Sequence, residues 1–470
     1  MSRLTLAAFV WIAGTVACAI GCRSSQRKTP PAAEPAKSQS HSSVSSSKPQ
    51  VVVPVTRRSP PKISAGQGGT CAITREGAIY CWGNPLANEP YGTGPRRLSR
   101  QGLYEQVAYN GTACGRTPEG EVWCAGFNDH GQLGAASTET CEVKARPRPY
   151  HVPCSSSPLR VRGLPTAVDI AVSYPRSCAI TTDAQVYCWG DSIALGFPCP
   201  EPCGPAESSK APYRVPGLER VRRLALSPTF ACALRDDGTV WCWGSNADGE
   251  LGRGFFDLSR DGSTGPVLHK EPAQVSGLRG VIDIGVGANH ACALQFEGSI
   301  QRLYCWGRNN VRQLGVDTSG KCEQDDCSVT PARVPLVPGS ATVAALAVAE
   351  NSSCTLHRDG SLYCWGSDWK DWLGIKASAV CDCVKSPSQV MNMPPLTQVA
   401  NGGDHLCAVT AEGAIRCWGQ TVVRGGLGFP TKAAHCDRSC PAPLGGCDTF
   451  CIEPATVVPG VMVVPQSLHP

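Results

Sequence analysis

The chain has 470 residues, 28 of them cysteine, and its 50 glycines and 39 prolines make up close to a fifth of the total, against roughly 12% in an average protein. Charged residues are 17% and hydrophobic residues 42% of the chain, which excludes disorder over most of its length. The net charge of +5 is too small to indicate nucleic-acid binding without a clustered basic patch, so we expect no nucleic acid among its partners.

The N-terminus predicts export. An apolar run from Leu4 to Gly21 follows Arg3 and ends directly before Cys22. Small residues before a cysteine at the end of such a run resemble the lipobox of bacterial lipoproteins, with Ala19 in place of the commoner leucine. The resemblance implies that residues 1–22 are a signal peptide, that Cys22 is lipidated, and that the protein is anchored in a membrane of the bacterial cell envelope, facing the periplasm or the exterior. An uncleaved anchor or a plain secretory signal would also place the body outside the cytoplasm.

The sequence after the signal divides into a tether and a folded domain. Residues 23–50 are rich in serine and proline and almost free of large apolar side chains, a composition that predicts a disordered tether. Strand-like sequence begins at Val51, so we assign residues 51–470 to the folded domain. The many cysteines agree with export, because a reducing cytosol seldom tolerates so many thiols. Setting aside Cys18 in the signal and Cys22 on the lipid leaves an even number, which can pair completely.

One pattern recurs seven times after residue 63, and each copy carries two cysteines. A copy contains three short apolar segments separated by turns, as in Leu224–Leu226, Cys232–Leu234 and Val240–Cys242, and a fourth follows in the spacer, as in Tyr213–Leu218. Repeats of this kind predict an all-β fold, a seven-bladed β-propeller with four-stranded blades. The second cysteines of the copies lie 43 to 64 residues apart, at Cys81, Cys124, Cys188, Cys242, Cys305, Cys364 and Cys417.

The copies share a longer motif: Gly-x-x-x-x-Cys-Ala-Leu, then Asp-Gly, then Tyr-Cys-Trp-Gly, then Asn-x-x-Gly-x-Leu-Gly. Ala288–Leu294 and Trp243–Gly252 match it best. The motif resembles the repeat of the regulator of chromosome condensation family, and seven copies over residues 63–470 equal the blade number of that family. The resemblance implies the propeller fold. It also points to the activity that named the family, nucleotide exchange on a small GTPase.

The two cysteines of a copy predict a disulfide across a hairpin. Cys71 faces Cys81 across a three-residue turn, and residues opposed on antiparallel strands lie about 4.5 to 5.5 Å apart, within reach of a disulfide. Gly77 supplies the left-handed third residue of that turn, whereas Ala184 should strain its own. The alternative, buried free thiols, does not suit an exported chain. The expected pairs are Cys71–Cys81, Cys114–Cys124, Cys178–Cys188, Cys232–Cys242, Cys292–Cys305, Cys354–Cys364 and Cys407–Cys417, of which Cys292–Cys305 has three extra residues and a bulged or lengthened hairpin.

Aromatic and histidine residues also recur at fixed positions. A tryptophan follows the second cysteine in six copies, and Ala125 replaces it in the second. We expect these residues to pack blade against blade rather than to form an aromatic cage. His290 and His405 precede the first cysteine of their copies and match a structural position of the family, so no catalytic residue is expected. The tryptophans are Trp82, Trp189, Trp243, Trp306, Trp365 and Trp418.

Twelve further cysteines lie between the repeats. Each spacer that has any holds an even number, so local pairing is expected, although one residue between Cys381 and Cys383 is too little for an unstrained bridge. The four cysteines near the end could instead bind zinc, and the acidic loop Glu323–Asp326 could bind calcium; disulfides and a solvated loop are favoured, so no metal and no cofactor are expected. The cysteines are Cys141, Cys154, Cys199, Cys203, Cys322, Cys327, Cys381, Cys383, Cys436, Cys440, Cys447 and Cys451.

The spacers also suggest where partners bind. Insertions follow the Leu-Gly of the motif and should crowd one face of the disc, and those around Cys141–Cys154 and Cys436–Cys451 are expected to contact a partner. We expect a non-enzymatic, lipid-anchored scaffold that binds an unidentified envelope or extracellular protein. An inhibitor of a secreted enzyme such as a β-lactamase is the alternative, because a secreted inhibitor of that kind resembles this chain. Either residues 453–460 or Val51–Val55 should pair into the first blade and seal the ring.

Overall fold

The computed structural model describes residues 62–66, 68–83, 92–98, 103–143, 149–191, 208–257, 267–368, 372–375, 382–422, 436–437 and 450–466. Within these ranges the regular structure is β-strand, arranged in seven antiparallel sheets. The same ranges contain no helix that is long and apolar enough to cross a membrane. The predicted tether and signal, and the segment Val51–Val55, lie outside the described residues.

Each sheet is one blade, and each blade is built from consecutive strands. In blade 1 the order is β1 (Ile63–Gly66), β2 (Gly69–Ile73), β3 (Ile79–Gly83) and β4 (Gly92–Arg97). Blade 2 orders β5 (Gln106–Tyr109), β6 (Thr112–Arg116), β7 (Val122–Phe127), β9 (Tyr150–Arg160) and β8 (Glu139–Val143). Blade 3 orders β10 (Ala167–Ser173), β11 (Arg176–Thr181), β12 (Val186–Asp191) and β13 (Ser208–Arg214). Blade 4 orders β14 (Val221–Leu226), β15 (Phe230–Arg235), β16 (Val240–Ser245) and β17 (Leu268–Gln274).

The last three blades follow the same plan. Blade 5 orders β18 (Val281–Val286), β19 (His290–Glu297), β20 (Ile300–Arg308), β22 (Asp325–Val334) and β21 (Gly320–Cys322). Blade 6 orders β23 (Val343–Ala349), β24 (Ser352–His357), β25 (Leu362–Ser367) and β26 (Cys383–Gln389). Blade 7 orders β27 (Leu396–Asn401), β28 (His405–Thr410), β29 (Ala414–Val422), β31 (Phe450–Met462) and β30 (Cys436–Asp437).

The first strands of the blades form a closed inner ring. Each packs against the first strand of the next blade, from β1 through β5, β10, β14, β18 and β23 to β27, and β27 packs against β1. The hydrophobic core lies between neighbouring blades: Trp243 of blade 4, for example, packs with Ile180 and Leu218 of blade 3. Because both faces of a blade are covered, second strands such as β15 are buried almost throughout. The seven-bladed, four-stranded propeller predicted from the sequence is confirmed.

The expected pairing of residues 453–460 with blade 1 is wrong. Residues 453–460 lie in β31, which pairs with β29 of blade 7 rather than with blade 1, whose four strands all come from its own repeat. The pattern of this segment marks a fourth strand, and blade 7 lacks one without it. The ring closes instead by packing and hydrogen bonds between the two blades, including Lys62 N to Gln398 Oε1 at 2.9 Å and Arg75 N to the Met462 carbonyl at 3.2 Å.

The disc has two faces with different construction. One face, here called the turn face, carries the hairpin turns between second and third strands and the connections between blades; these meet in backbone hydrogen bonds such as Tyr104 N to the Gly77 carbonyl at 2.9 Å. The other, here called the loop face, carries the turns between first and second strands and the segments that lead from third to fourth strands. There Asn289 Nδ2 donates to Asp248 Oδ2 of the preceding blade at 2.8 Å.

The hairpin turns follow the glycine pattern of the sequence. Gly77 and Gly238 both have a φ of 77°, in the left-handed region. Ala184 occupies the same position in blade 3 with a φ of 59°, so an L side chain does stand where glycine is favoured. In blade 5 the hairpin lengthens: pairing continues to Glu297 opposite Ile300.

Candidate functional site: the loop face

The loop face rests on blades that are each fastened by one disulfide. All seven predicted cross-strand pairs are bonded, with Cα atoms 4.0–4.1 Å apart and each cysteine opposite its partner in the strand register. The short separation suits non-hydrogen-bonded antiparallel pairs. The bridges lie in the core between blades, so they stiffen the scaffold and take no part in the exposed surface.

The tryptophan after the second cysteine anchors the loops of the preceding blade. Trp306 is fully buried, and its Nε1 donates to the Glu250 carbonyl in the loop of blade 4 at 2.9 Å. Trp189 and Trp365 make the same bond to the carbonyls of Gln132 and Gln313, at 2.9 and 3.0 Å. The expected blade-to-blade packing is confirmed, and it extends to the loops as well as the strands.

The Asn-x-x-Gly-x-Leu-Gly motif forms a loop that closes on its own first side chain. In blade 4, Asn246 Oδ1 accepts from Leu251 N at 3.1 Å and its Nδ2 donates to the Phe255 carbonyl at 3.0 Å. Asn309 of blade 5 repeats the first bond with Leu314 N at 3.1 Å. Each asparagine thereby fixes where the segment after the Leu-Gly leaves the blade.

The two histidines of the repeats lie between blades. His290 Nε2 shares a hydrogen bond of 2.8 Å with Ser353 Oγ of blade 6, and His405 Nε2 shares one of 2.7 Å with Thr70 Oγ1 of blade 1. Burial lowers the pKa of His290 to about 3, so its imidazole is neutral at physiological pH. Both side chains are buried, which places them in the scaffold rather than on the loop face.

Two of the insertions form disulfide-closed hairpins at the outer edge of their blades. In blade 2, β8 pairs with β9 and Cys141 is bonded to Cys154; in blade 5, β21 pairs with β22 and Cys322 is bonded to Cys327. Each insertion thus adds a fifth strand to its blade, where the sequence predicts only a loop. The local pairing expected for these four cysteines is confirmed.

The remaining inter-repeat cysteines are only partly described. In blade 7, Cys436 is the Cα partner of Cys451 in the pairing of β30 with β31. Cys383 is buried and disulfide-bonded. The predictions for five others fall outside the described residues: Cys199, Cys203, Cys381, Cys440 and Cys447.

The acidic loop of blade 5 is held by cations of the protein itself. Arg308 binds Asp325 through Nη2 at 2.8 Å and Asp248 of blade 4 through Nε at 2.9 Å. Lys321 Nζ binds Asp326 at 2.5 Å. Among the residues that the structure describes, no group of three or more His, Cys, Asp or Glu side chains could hold a metal ion.

The blade 4 loop holds a buried carboxyl that the motif of a single repeat does not indicate. Glu250 is fully buried, and burial raises its pKa to about 7. Gln132 and Gln313 hold the same place in blades 2 and 5, and their amides donate to Asp129 and Asn310 three residues earlier, at 2.8 and 3.2 Å. Ala247 stands there in blade 4. Aligning the loops of the repeats would have revealed this exchange of carboxyl for amide.

A groove of about 530 Å³ opens on the loop face between blades 4 and 5. One wall is the end of the blade 4 loop, with Phe255 44% exposed, and the other is the disulfide hairpin of blade 5, with Val329 and Lys321. Gly254 N donates to the Val329 carbonyl at 2.9 Å and ties the two walls together. The groove forms only where two neighbouring blades meet, so the motif of a single repeat does not predict it.

A closed ring of seven disulfide-bonded blades with the Asn-x-x-Gly-x-Leu-Gly loop defines a repeat protein of the regulator of chromosome condensation type. The family model of the RCC1-like domain matches residues 95–445, and that of the regulator of chromosome condensation (RCC1) repeat matches residues 62–86. The chain belongs to the RCC1-like domain family.

Several characterised proteins are similar to the chain. The guanine nucleotide exchange factor SRM1 of Saccharomyces cerevisiae is 27% identical over 336 residues, 64% of this chain and 66% of that protein. Protein pim1 of Schizosaccharomyces pombe is 27% identical over 55% of this chain and 49% of that protein. The chain therefore spans between about half and two thirds of the length of these relatives. The human E3 ubiquitin-protein ligase HERC2 is 26% identical over 74% of this chain, but over only 7% of its own length.

The solved structures agree on the fold. The crystal structure of Prp20p from Saccharomyces cerevisiae, described with its binding properties to Gsp1p and histones, superposes with a TM-score of 0.63 at 24% identity and covers 82% of this chain and 87% of that one. Yeast RCC1 (Prp20) bound to Kap60 gives a TM-score of 0.59 at 25% identity, over 74% of this chain and 80% of that one.

Proposed function

We propose that the protein is a non-enzymatic scaffold that acts outside the cytoplasm, anchored to a membrane through lipid on Cys22, and that its loop face binds another protein. The observation that carries this proposal is the division of the disc into a turn face that is built alike in six blades and a loop face whose insertions differ in length from blade to blade. Two of these insertions are closed by disulfides, and stiff loops lose less conformational entropy on binding. Disulfides of this kind also belong to an oxidising compartment.

Affinity capture from envelope extract tests the loop face. The full chain is the bait, and two variants have the insertions around Cys141–Cys154 and Cys436–Cys451 shortened to tight turns. Both should keep the melting temperature of the domain and lose the captured protein. Leu103→Ser, which alters a side chain 63% exposed on the turn face, is the matched control and should capture normally. Unimpaired capture by both trimmed variants, or a loss caused by the control, would place the site elsewhere. If the captured protein is a secreted enzyme that loses activity on binding, the scaffold is an inhibitor.

The anchor is tested separately at Cys22. Replacing Cys22 by Ser should move the protein from the membrane fraction to the soluble fraction, because the acyl chains of a lipoprotein provide the attachment. Mass spectrometry of the wild-type N-terminus should show a lipidated Cys22. A variant that stays membrane-bound and uncleaved would make residues 4–21 a membrane-spanning anchor.

Nucleotide exchange on a small GTPase is the second candidate, favoured by the similarity to SRM1. The assay measures release of labelled GDP from a small GTPase on addition of the full chain. Acceleration of that release would support exchange and place the functional partner in the cytoplasm. The scaffold proposal predicts no acceleration, because a protein that acts outside the cytoplasm needs no binding site for a cytosolic GTPase.

A further inference from the structure

The blade 4 loop differs from its counterparts at two residues that are hydrogen-bonded to each other in the other blades. In blades 2 and 5 the loop glutamine, Gln132 or Gln313, accepts a backbone N–H through Oε1, at 2.9 and 3.0 Å. Its Nε2 donates to the side chain three residues earlier. In blade 4 these two positions are Glu250 and Ala247. A carboxyl oxygen therefore takes the place of the amide nitrogen, and the acceptor that this amide would need is missing.

The carboxyl of Glu250 is hydrogen-bonded well on one side only. Oε2 accepts from Asp248 N at 2.7 Å, as the glutamines accept in their loops. Oε1 is buried and has no hydrogen-bond partner among the residues that the structure describes. Ser245 lowers the pKa of Glu250 by less than burial raises it. An ionised carboxylate in this place loses its hydration without gaining a donor, whereas a protonated carboxyl is neutral and costs less to bury.

The charged groups around Glu250 do not offset this cost. Asp248, on the same loop, carries a like charge and raises the pKa of Glu250 further. Arg308 of blade 5 is shared between Asp248 and Asp325. Arg253, at the end of the loop, donates through Nη2 to a backbone carbonyl of the third strand at 2.6 Å. Both cations are thus held by other acceptors, and the closed loop favours the protonated form of Glu250.

The same loop fastens one wall of the groove between blades 4 and 5. The Glu250 carbonyl accepts from Trp306, and Asp248 is bonded to two side chains of blade 5. Asn246 Nδ2 donates to the carbonyl of Phe255, which forms the blade 4 wall of the groove. A change that loosens this loop therefore also releases Phe255 and the contact between the two blades.

We propose that Glu250 is a pH-sensitive latch of the loop face, which holds the blade 4 loop closed while its carboxyl carries a proton and loosens the loop when the proton is lost. In the open loop the carboxyl reaches water and titrates near its ordinary pKa of 4.5, against about 7 in the closed loop. Raising the pH from 4.5 to 7 therefore favours opening about tenfold per unit, by up to about 300-fold in all. Above that range the effect is constant, so the groove is best formed in acidic solution.

Hydrogen exchange of the full chain, followed by mass spectrometry, tests the latch. Leu251 N, Leu133 N and Leu314 N make the same bond to the loop asparagine of blades 4, 2 and 5, each at 3.1 Å. After correction for the intrinsic rate of exchange, protection of the blade 4 loop should fall by up to about 300-fold between about pH 4.5 and 7. The loops of blades 2 and 5 are internal controls and should change little.

Two variants separate the carboxyl from the rest of the loop. Glu250→Gln should make the protection of the blade 4 loop independent of pH, and it should fold, because glutamine fills this place in blades 2 and 5. Ala247→Asn introduces the residue that blade 5 has there, gives Oε1 a donor, and should reduce the fall several-fold, because this bond stabilises the ionised form in the closed loop. Equal loosening of all three loops, constant protection in the wild type, or a fall that persists in Glu250→Gln would overturn the latch.

Discussion

The turn face and the loop face are made by the same seven repeats and differ in how much they vary. On the turn face, the hairpin turns of six blades meet the segment after the fourth strand through a backbone hydrogen bond, such as Leu396 N to the Gly360 carbonyl at 3.0 Å. In blade 5, whose hairpin is longer, the Gln301 side chain bonds Val343 instead. On the loop face, one loop position holds Gln132, Glu250, Gln313 or Trp372 according to the blade. Backbone contacts tolerate changes of side chain, so the turn face can stay uniform while the loop face becomes specific to this chain.

The largest effect is expected where the loop face is fastened to the ring. Trp306→Ala removes a fully buried indole and its bond to the Glu250 carbonyl, and should cost about 3–5 kcal/mol of unfolding free energy. Chemical denaturation measures this loss. Trp123→Ala, at a half-buried side chain in the third strand of blade 2, is the control and should cost less than half as much. Equal losses would mean that the loops are not anchored through this tryptophan.

A pH effect should distinguish the blade 4 loop from its counterparts. Because burial raises the pKa of Glu250 from 4.5 to about 7, the folded state keeps a proton that the unfolded chain releases between these two pH values. The stabilisation from protonated Glu250 is therefore fully present below about pH 4.5. As the pH rises to about 7, the unfolding free energy falls by at most about 3 kcal/mol, and above that pH it stays at the lower level. Unfolding free energy measured across this range gives the size of the effect.

Two substitutions sharpen that measurement. Glu250→Gln should remove this part of the pH dependence, because the amide does not titrate. Gln313→Glu should introduce a similar fall in blade 5, where the side chain is equally buried. A wild-type stability curve that is parallel to that of Glu250→Gln from pH 4.5 to 7 would contradict the shifted pKa.

The disulfides of the two regions should differ in their effect on stability. Replacing Cys292 and Cys305 by alanine removes a disulfide in the core between blades and should lower the unfolding free energy by about 2 kcal/mol. The loss is smaller to the extent that the hairpin already restricts the same loop. The same change at Cys322 and Cys327 should cost less than half as much, because that hairpin lies at the outer edge of its blade. Denaturation of the two double variants side by side makes the comparison, and the reverse order of losses would show that the loop-face hairpin supports the ring.

The smallest effect concerns the one turn that departs from the rule. Ala184→Gly should stabilise the protein by about 0.5–1 kcal/mol, because relief of the left-handed conformation exceeds the entropy that glycine adds to the unfolded chain. Gly238→Ala is the reverse change in blade 4, where a Cβ would lie 2.8 Å from the backbone of Gly280, and should be clearly destabilising. Thermal melts resolve both shifts; a loss of stability in Ala184→Gly would contradict the strain at this turn.

Features repeated in every copy could be predicted from the sequence. Cys71 and Cys81 lie opposite each other, which determines a hairpin and its disulfide within one repeat. The tryptophan that follows Cys81 indicates a contact with the neighbouring blade. Seven such copies in series were enough to predict a closed ring of seven blades.

Features that depend on two segments meeting were not predicted. Residues 453–460 lie in the fourth strand of blade 7, but their sequence does not say which third strand they join. The fifth strands β8 and β21 arise because a disulfide-closed insertion folds back on the fourth strand. The groove at Phe255 depends on the approach of two blades, and no repeat taken alone contains it.

The described domain begins and ends on the turn face. Lys62 Nζ reaches the Glu105 carbonyl in the connection between blades 1 and 2, and Val463 N donates to the Gly413 carbonyl at the hairpin turn of blade 7. A surface linkage made directly at Lys62 or at Gln466 therefore joins the domain on its turn face. A domain immobilised at either residue directs its loop face away from the support.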